Sequence, residues 1–147
     1  MSIRKPYHLL LLAGISLFTS ALISTKETID FHFHDTYFVV TGSFFYWVLA
    51  IIVYVLWGIY FLSRKVLHSN TLTWFHVVPT LIAIALFSCA PFFGYPGRFV
   101  DLSPFSAFGR IHRATQFLAV GAIVFIIAQF LLVVNIAGGL YNCLKKK

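Results

Sequence analysis

FHFHDTYFVVTGSFFYWVLAIIVYVLWGIYFL, residues 31–62, decides how this chain is read. It joins a polar patch, His32, His34 and Asp35, to an apolar run from Phe38 to Leu62 that holds no charged side chain. About 20 apolar residues carry a helix across a hydrocarbon core about 30 Å thick. The run therefore predicts a transmembrane helix over 38–62, and the patch marks the membrane face at which that helix begins.

Three further apolar runs repeat the pattern at 6–24, 72–93 and 117–141. Composition agrees with them. The 147 residues are 60% hydrophobic and only 10% charged, with a mean hydropathy of +0.90, whereas soluble domains carry about 25% charged residues. The expectation is an all-α membrane protein: one domain of four transmembrane helices over residues 1–147, embedded in a lipid bilayer. A second reading exists for the first run, because Arg4 and Lys5 ahead of Pro6–Ser24 resemble a secretory signal. The run is long for a signal core and the later spans need a helix to pack on, so it is taken as retained. Pro79 falls inside the third run and Pro91 near its end, where lost backbone bonds predict a kink. Residues 94–115 read as a loop, with PFSAFGR lying along the interface.

Charge sets the orientation. With four spans, one side holds Arg4, Lys5, Arg64, Lys65, Lys145, Lys146 and Lys147, seven of the eleven basic residues. The other holds Lys26, Arg98, Arg110, Arg113 and all four acids, Glu27, Asp30, Asp35 and Asp101. Basic residues collect on the cytoplasmic side, which predicts both termini inside a bacterial inner membrane and the histidine–aspartate patch outside. The net charge of +7 follows from these short flanking clusters. It forms no basic face or aromatic-interleaved stripe, so nucleic acid is not an expected partner.

Chemistry has few footholds. No GxSxG, P-loop or HExxH occurs, and no acid, lysine or arginine lies within a span, which argues against proton or ion translocation by this chain alone. Cys89 and Cys143 show no CxxC spacing and are assigned to opposite faces, with Cys89 taken as a small buried hydrophobe. His32, His34 and Asp35, joined by Asp101 and His112 of the other outward loop, could together hold a divalent metal. A hydrated loop, or a histidine capping the second helix, is the plainer account of HxHD. His8 and His76 both fall near the cytoplasmic ends of their spans and are the pair available for bis-histidine haem ligation. An interfacial histidine without haem is the commoner case.

HDTYFVV, residues 34–40, resembles subunit I of the haem–copper oxidases, the cytochrome c and quinol oxidases. The likeness extends over most of the chain: 6–37 resemble the ninth helix and its exit loop, 38–63 the tenth, and the span with WFH at 74–76 the eleventh. GYPGRFVDLSPFSAFGRI, 94–111, and the span after it resemble the family's MPRR-type loop and twelfth helix. The resemblance implies a magnesium ion beside His34 and Asp35, completed by a carboxylate from another subunit. It also implies two haem-ligating histidines just after HDTYFVV, but Gly42 and Phe44 stand there. The arginine pair that meets the haem propionates is reduced to Gly97 and Arg98, and the copper-ligand helices are absent.

The expected protein is therefore non-catalytic, a structural or assembly partner of other subunits in a respiratory, oxidase-type membrane complex, with no cofactor of its own. The alternative is a binding protein that carries haem through His8 and His76, with Arg98, or a divalent metal through His34, Asp35, His32 and His112.

Overall fold

The computed structural model of the protein describes residues 5–24, 28–33, 36–94 and 104–145. Their backbone forms α1 (His8–Ile23), β1 (Thr28–Phe33), β2 (Thr36–Thr41), α2 (Gly42–Ser63), α3 (Asn70–Gly94) and α4 (Pro104–Lys145). The helices pair in chain order, α1 with α2 and α3 with α4.

Both pairs are antiparallel, as their side-chain contacts show. Along α1 and α2, Tyr7 stacks on Tyr60 with ring centroids 6.0 Å apart, Gly14 lies under Tyr54, and Phe18 meets Trp47 edge-on at 4.8 Å. The number falls on one helix as it rises on the other. Leu10, Gly14, Leu17 and Ala21 are the buried positions of α1, spaced three and four apart as a single packed stripe requires. A Cβ built on Gly14 would stand 2.8 Å from the Tyr54 ring, so the missing side chain allows this close approach. Along α3 and α4, His68 lies against Gly138, Thr73 bonds to Asn135, and Phe87 meets Phe125 at 6.4 Å.

Among the described residues, three helices are long and apolar enough to cross a membrane: Gly42–Ser63, Asn70–Cys89 of α3, and Gln116–Lys145 of α4. The first expected span is shorter than the reading of 6–24. At 16 residues α1 rises about 24 Å, short of a hydrocarbon core about 30 Å thick.

Three boundaries differ from the sequence reading. The second span does not begin at Phe38, because Thr36–Thr41 form a strand and the helix begins at Gly42. TYFVVT is aromatic and β-branched, a composition that favours a pleated backbone. It pairs antiparallel with Thr28–Phe33 in the register Thr28↔Thr41 to Phe33↔Thr36, a short hairpin added to the four helices of the expected all-α fold. The fourth span begins at Gln116, as read, but its helix begins well before it, since PFSAFGR and the residues after it, read as a loop, are already helical from Pro104. Proline suits a first helical position, where its missing N–H is not needed, and Phe105, Phe108 and Ile111 recur at helical spacing. Cys89 is exposed, not buried, as is Cys143.

The third span agrees closely with α3, which runs unbroken through Pro79. Proline cannot donate to the Phe75 carbonyl. One residue further, the Thr80 hydroxyl donates to the His76 carbonyl at 2.8 Å.

Candidate functional site

The antiparallel pairings bring the start of α1, the end of α2, the start of α3 and the end of α4 to one end of the molecule. Two linked groups of polar side chains lie at or near that end.

The first group fastens the connection between α2 and α3. Asn135 of α4 is fully buried. Its Oδ1 accepts from the Ser69 backbone N–H at 3.0 Å, its Nδ2 donates to Thr73 Oγ1 at 3.0 Å, and its carbonyl accepts from the His68 N–H at 3.3 Å. Thr73 in turn donates to the Ser69 carbonyl at 3.1 Å, and the Thr71 N–H donates to Ser69 Oγ at 3.2 Å, which places Ser69 as the cap of α3. Two turns further along α4, Asn142 and His68 meet at 2.8 Å between Nδ2 and Nδ1. The first backbone N–H groups of a helix have no partner within the helix itself. Here a side chain from the neighbouring helix satisfies one of them.

Glycine makes room for this arrangement. A Cβ on Gly139 would fall on the Val66 carbonyl oxygen, with the Val66 carbon at 2.7 Å and the His68 nitrogen at 2.9 Å. The connection therefore lies directly on α4, at a distance that only a residue without a side chain permits.

The second group surrounds His76, which is fully buried. Its Nε2 lies 3.3 Å from Gln129 Oε1 and 3.3 Å from Thr80 Oγ1. The Thr80 proton already goes to the His76 carbonyl, so both neighbours of Nε2 act as acceptors and assign the ring proton to that nitrogen. Nδ1 is left as a lone pair with no hydrogen-bond partner. The Tyr60 ring packs against the imidazole at 5.3 Å. Its hydroxyl lies near Asn135 but makes no hydrogen bond. Trp57 Nε1 and Gln129 Nε2 are likewise buried without partners. Three donors and one lone pair therefore remain unsatisfied where α2 meets α3 and α4. Buried polar groups without partners are rare and call for a specific explanation.

The residues singled out from sequence are distributed as follows. His76 lies at the centre of this seam, whereas His8 is exposed at the start of α1. The two are linked through rings: His8 lies 4.6 Å from Tyr7, Tyr7 stacks on Tyr60, and Tyr60 packs on His76. His32 sits in β1 opposite Tyr37 and His112 in α4, both placed by backbone alone. His34, Asp35 and Arg98 lie outside the described residues, as does Asp101. Of the positions that would carry haem ligands by the oxidase resemblance, Gly42 is buried at the start of α2 and Phe44 is exposed. Among the described residues no three histidines, cysteines or acids come together.

Asn135 and Gln129 were not singled out from the sequence, nor were Thr73 and Thr80. A signal for them exists. Thr73, His76 and Thr80 fall three and four apart on one face of the third span, and Gln129 and Asn135 are polar positions inside the fourth. Adjacent spans joined by a loop are expected to be antiparallel, which would have set the two polar stripes side by side.

A second feature opens beside this seam, a cavity of about 450 Å³. Exposed Lys5, Arg64 and Lys65 line it together with buried Tyr7 and Thr73. Arg64 also lies 5.0 Å above the Phe61 ring, a cation–π contact that holds the guanidinium against the end of α2.

In comparisons with known proteins, no family, no curated protein and no solved structure matches the chain.

Proposed function

We propose that this chain is a non-catalytic integral membrane subunit that works through helix contacts, as a structural or assembly partner in a larger complex of the respiratory type. The observation that carries the reading is the outer face of α4. Only 17% of its spanning window is buried within the chain, and Ile123, Ile126, Phe130 and Val133 all face outward. A helix so little covered by its own chain requires lipid or another membrane protein around it. Among the described residues, the polar side chains of the seam have a packing role, because Asn135 bonds to Thr73 and His76 meets Thr80 and Gln129. The likeness of HDTYFVV and of the span order to subunit I of the haem–copper oxidases supplies the respiratory setting. The excess of basic residues flanking the terminal end supports a cytoplasmic location for both termini, in a bacterial inner membrane, with α1 as a short first span.

Purification of the full chain in a mild detergent tests this, with identification of every co-purifying protein and an absorption spectrum of the sample. A stoichiometric membrane-protein partner and a spectrum without a Soret band support the reading. A chain that runs alone after gentle extraction from its native membrane overturns it.

The alternative is a binding protein, and the buried lone pair of His76 Nδ1 favours it. A haem held between His8 and His76 does not fit the rings as they stand, since Tyr7 and Tyr60 occupy the chain of contacts between them. A Soret band that disappears in His76→Ala would transfer the function to this reading. A metal at His34, Asp35, His32 and His112 is tested by metal analysis of the same sample.

A further inference from the structure

We propose that the cavity between the ends of α1, α2 and α3 is a site for the phosphate headgroup of an anionic phospholipid. This inference concerns the membrane surface and stands apart from the question of a protein partner. Four observations converge on it.

The first is charge. Lys5, Arg64 and Lys65 all line one cavity, and they come from two separate places in the chain. None of them makes an ion pair with a described residue. None of the four acids, at 27, 30, 35 and 101, is among the residues that line this cavity. Three cations brought together without a counter-charge repel one another, and a bound anion relieves that repulsion.

The second is depth. Lys5 precedes α1, Arg64 and Lys65 follow α2, and Asn70 opens α3. All four therefore sit where apolar helices end, the level at which phospholipid phosphates lie. A cation positioned by an interfacial helix end meets those phosphates without leaving the bilayer surface.

The third is the chemistry of the wall. Asn70 and Thr73 line the cavity with Tyr7 and Leu67, which adds polar groups to the three charges. Asn70 begins a 25-residue helix, and a helix N-terminus carries partial positive charge that favours a phosphate.

The fourth is the size of the cavity. About 450 Å³ falls within the range of small-molecule sites and holds a phosphodiester with its glycerol, leaving the acyl chains to follow the outward apolar faces of α1 and α2. A soluble phosphate offers the same anion without those chains, so the two sources are separable by experiment.

The test uses the full chain in detergent micelles and measures lipid retention by native mass spectrometry, with thermal unfolding as a second readout. Phosphatidylglycerol, phosphatidylcholine and inorganic phosphate are the three probes. The variants are Lys5→Gln/Arg64→Gln/Lys65→Gln and, as a control that removes equal charge elsewhere, Lys145→Gln/Lys146→Gln/Lys147→Gln. The expected result is retention of phosphatidylglycerol over phosphatidylcholine in the native chain and the tail variant, and a loss of about fivefold in retention per cation removed from the cavity. All three cavity residues are exposed, and an unchanged melting profile in lipid-free detergent verifies that the cavity variant is folded. Should that variant unfold, Lys65→Gln alone is expected to show the single fivefold step. Equal losses in the two variants would mean a diffuse charge effect and overturn the site. Stabilisation by inorganic phosphate equal to that by phosphatidylglycerol would overturn the lipid assignment in favour of a soluble phosphate ligand.

Discussion

Asn135 and Thr73 are joined across α3 and α4 by a hydrogen bond of 3.0 Å from Nδ2 to Oγ1, and both residues are buried. The same amide receives the Ser69 N–H. Replacing Asn135 with leucine removes both bonds and strands a donor at the start of α3. Membrane hydrogen bonds average well under 1 kcal/mol but reach about 1.7 kcal/mol, so the expected loss is about 1–2 kcal/mol. Unfolding of the detergent-solubilised protein, followed by circular dichroism in rising sodium dodecyl sulfate, measures it.

His76 and Gln129 behave as a pair. Leucine at position 76 alone leaves Gln129 Oε1 without its 3.3 Å neighbour, and the expected cost is about 1 kcal/mol or more. Replacing both residues with leucine removes the orphaned oxygen along with the buried, unpaired His76 Nδ1 and Gln129 Nε2. The double variant is therefore expected to be at least as stable as His76→Leu, and a double-mutant cycle reads the coupling.

Two helical glycines should respond in opposite directions to alanine. Gly139→Ala drives a methyl group into the Val66 carbonyl, which is backbone and cannot rotate away. The expected result is a lower melting temperature and release of the α2–α3 connection to proteolysis. Gly58→Ala meets nothing within 4 Å and gains helix propensity of up to about 1 kcal/mol, so its melting temperature should hold or rise.

Gly14 and Tyr54 provide a test of the α1–α2 pair. A Cβ at position 14 comes within 2.8 Å of the Tyr54 ring, and Gly14→Val is expected to force the helices apart and destabilise the protein by about 1–3 kcal/mol. Tyr54→Ala in the same chain opens the space. Partial recovery of stability in the double variant is the expected outcome, and additive losses would exclude this contact as the cause.

Apolar length was the part of the fold written most plainly in the sequence. Residues 42–62, 72–93 and 117–141 are helical as read, because a long uncharged run has few ways to satisfy its backbone in lipid. The same uniform apolarity hid the boundary at Gly42. Phe38, Val39 and Val40 belong equally well to a strand or to a membrane helix, and only pairing with Thr28–Phe33 decides between them. The polar seam was half visible. His76 stood out as a histidine in a span, while Asn135 and Gln129 were outweighed by their apolar neighbours when the span was read as a whole. Their partners lie on another helix, and only the antiparallel packing brings them within reach. His34 and Asp35 fall outside the described residues, so the metal expectation rests on HxHD and the oxidase resemblance alone.

The seating of residues 66–69 on Gly139 and Asn135 has a consequence for biogenesis. A ribosome delivers α2, the connection and α3 to the membrane well before α4 is complete, so His68 and Ser69 must wait for acceptors encoded about 66 positions downstream. Until then the amides of that corner depend on water or on the insertion machinery. A nascent chain released before Asn135 would carry its first apolar helices into the bilayer with this corner unsealed, and quality-control proteases would find it there.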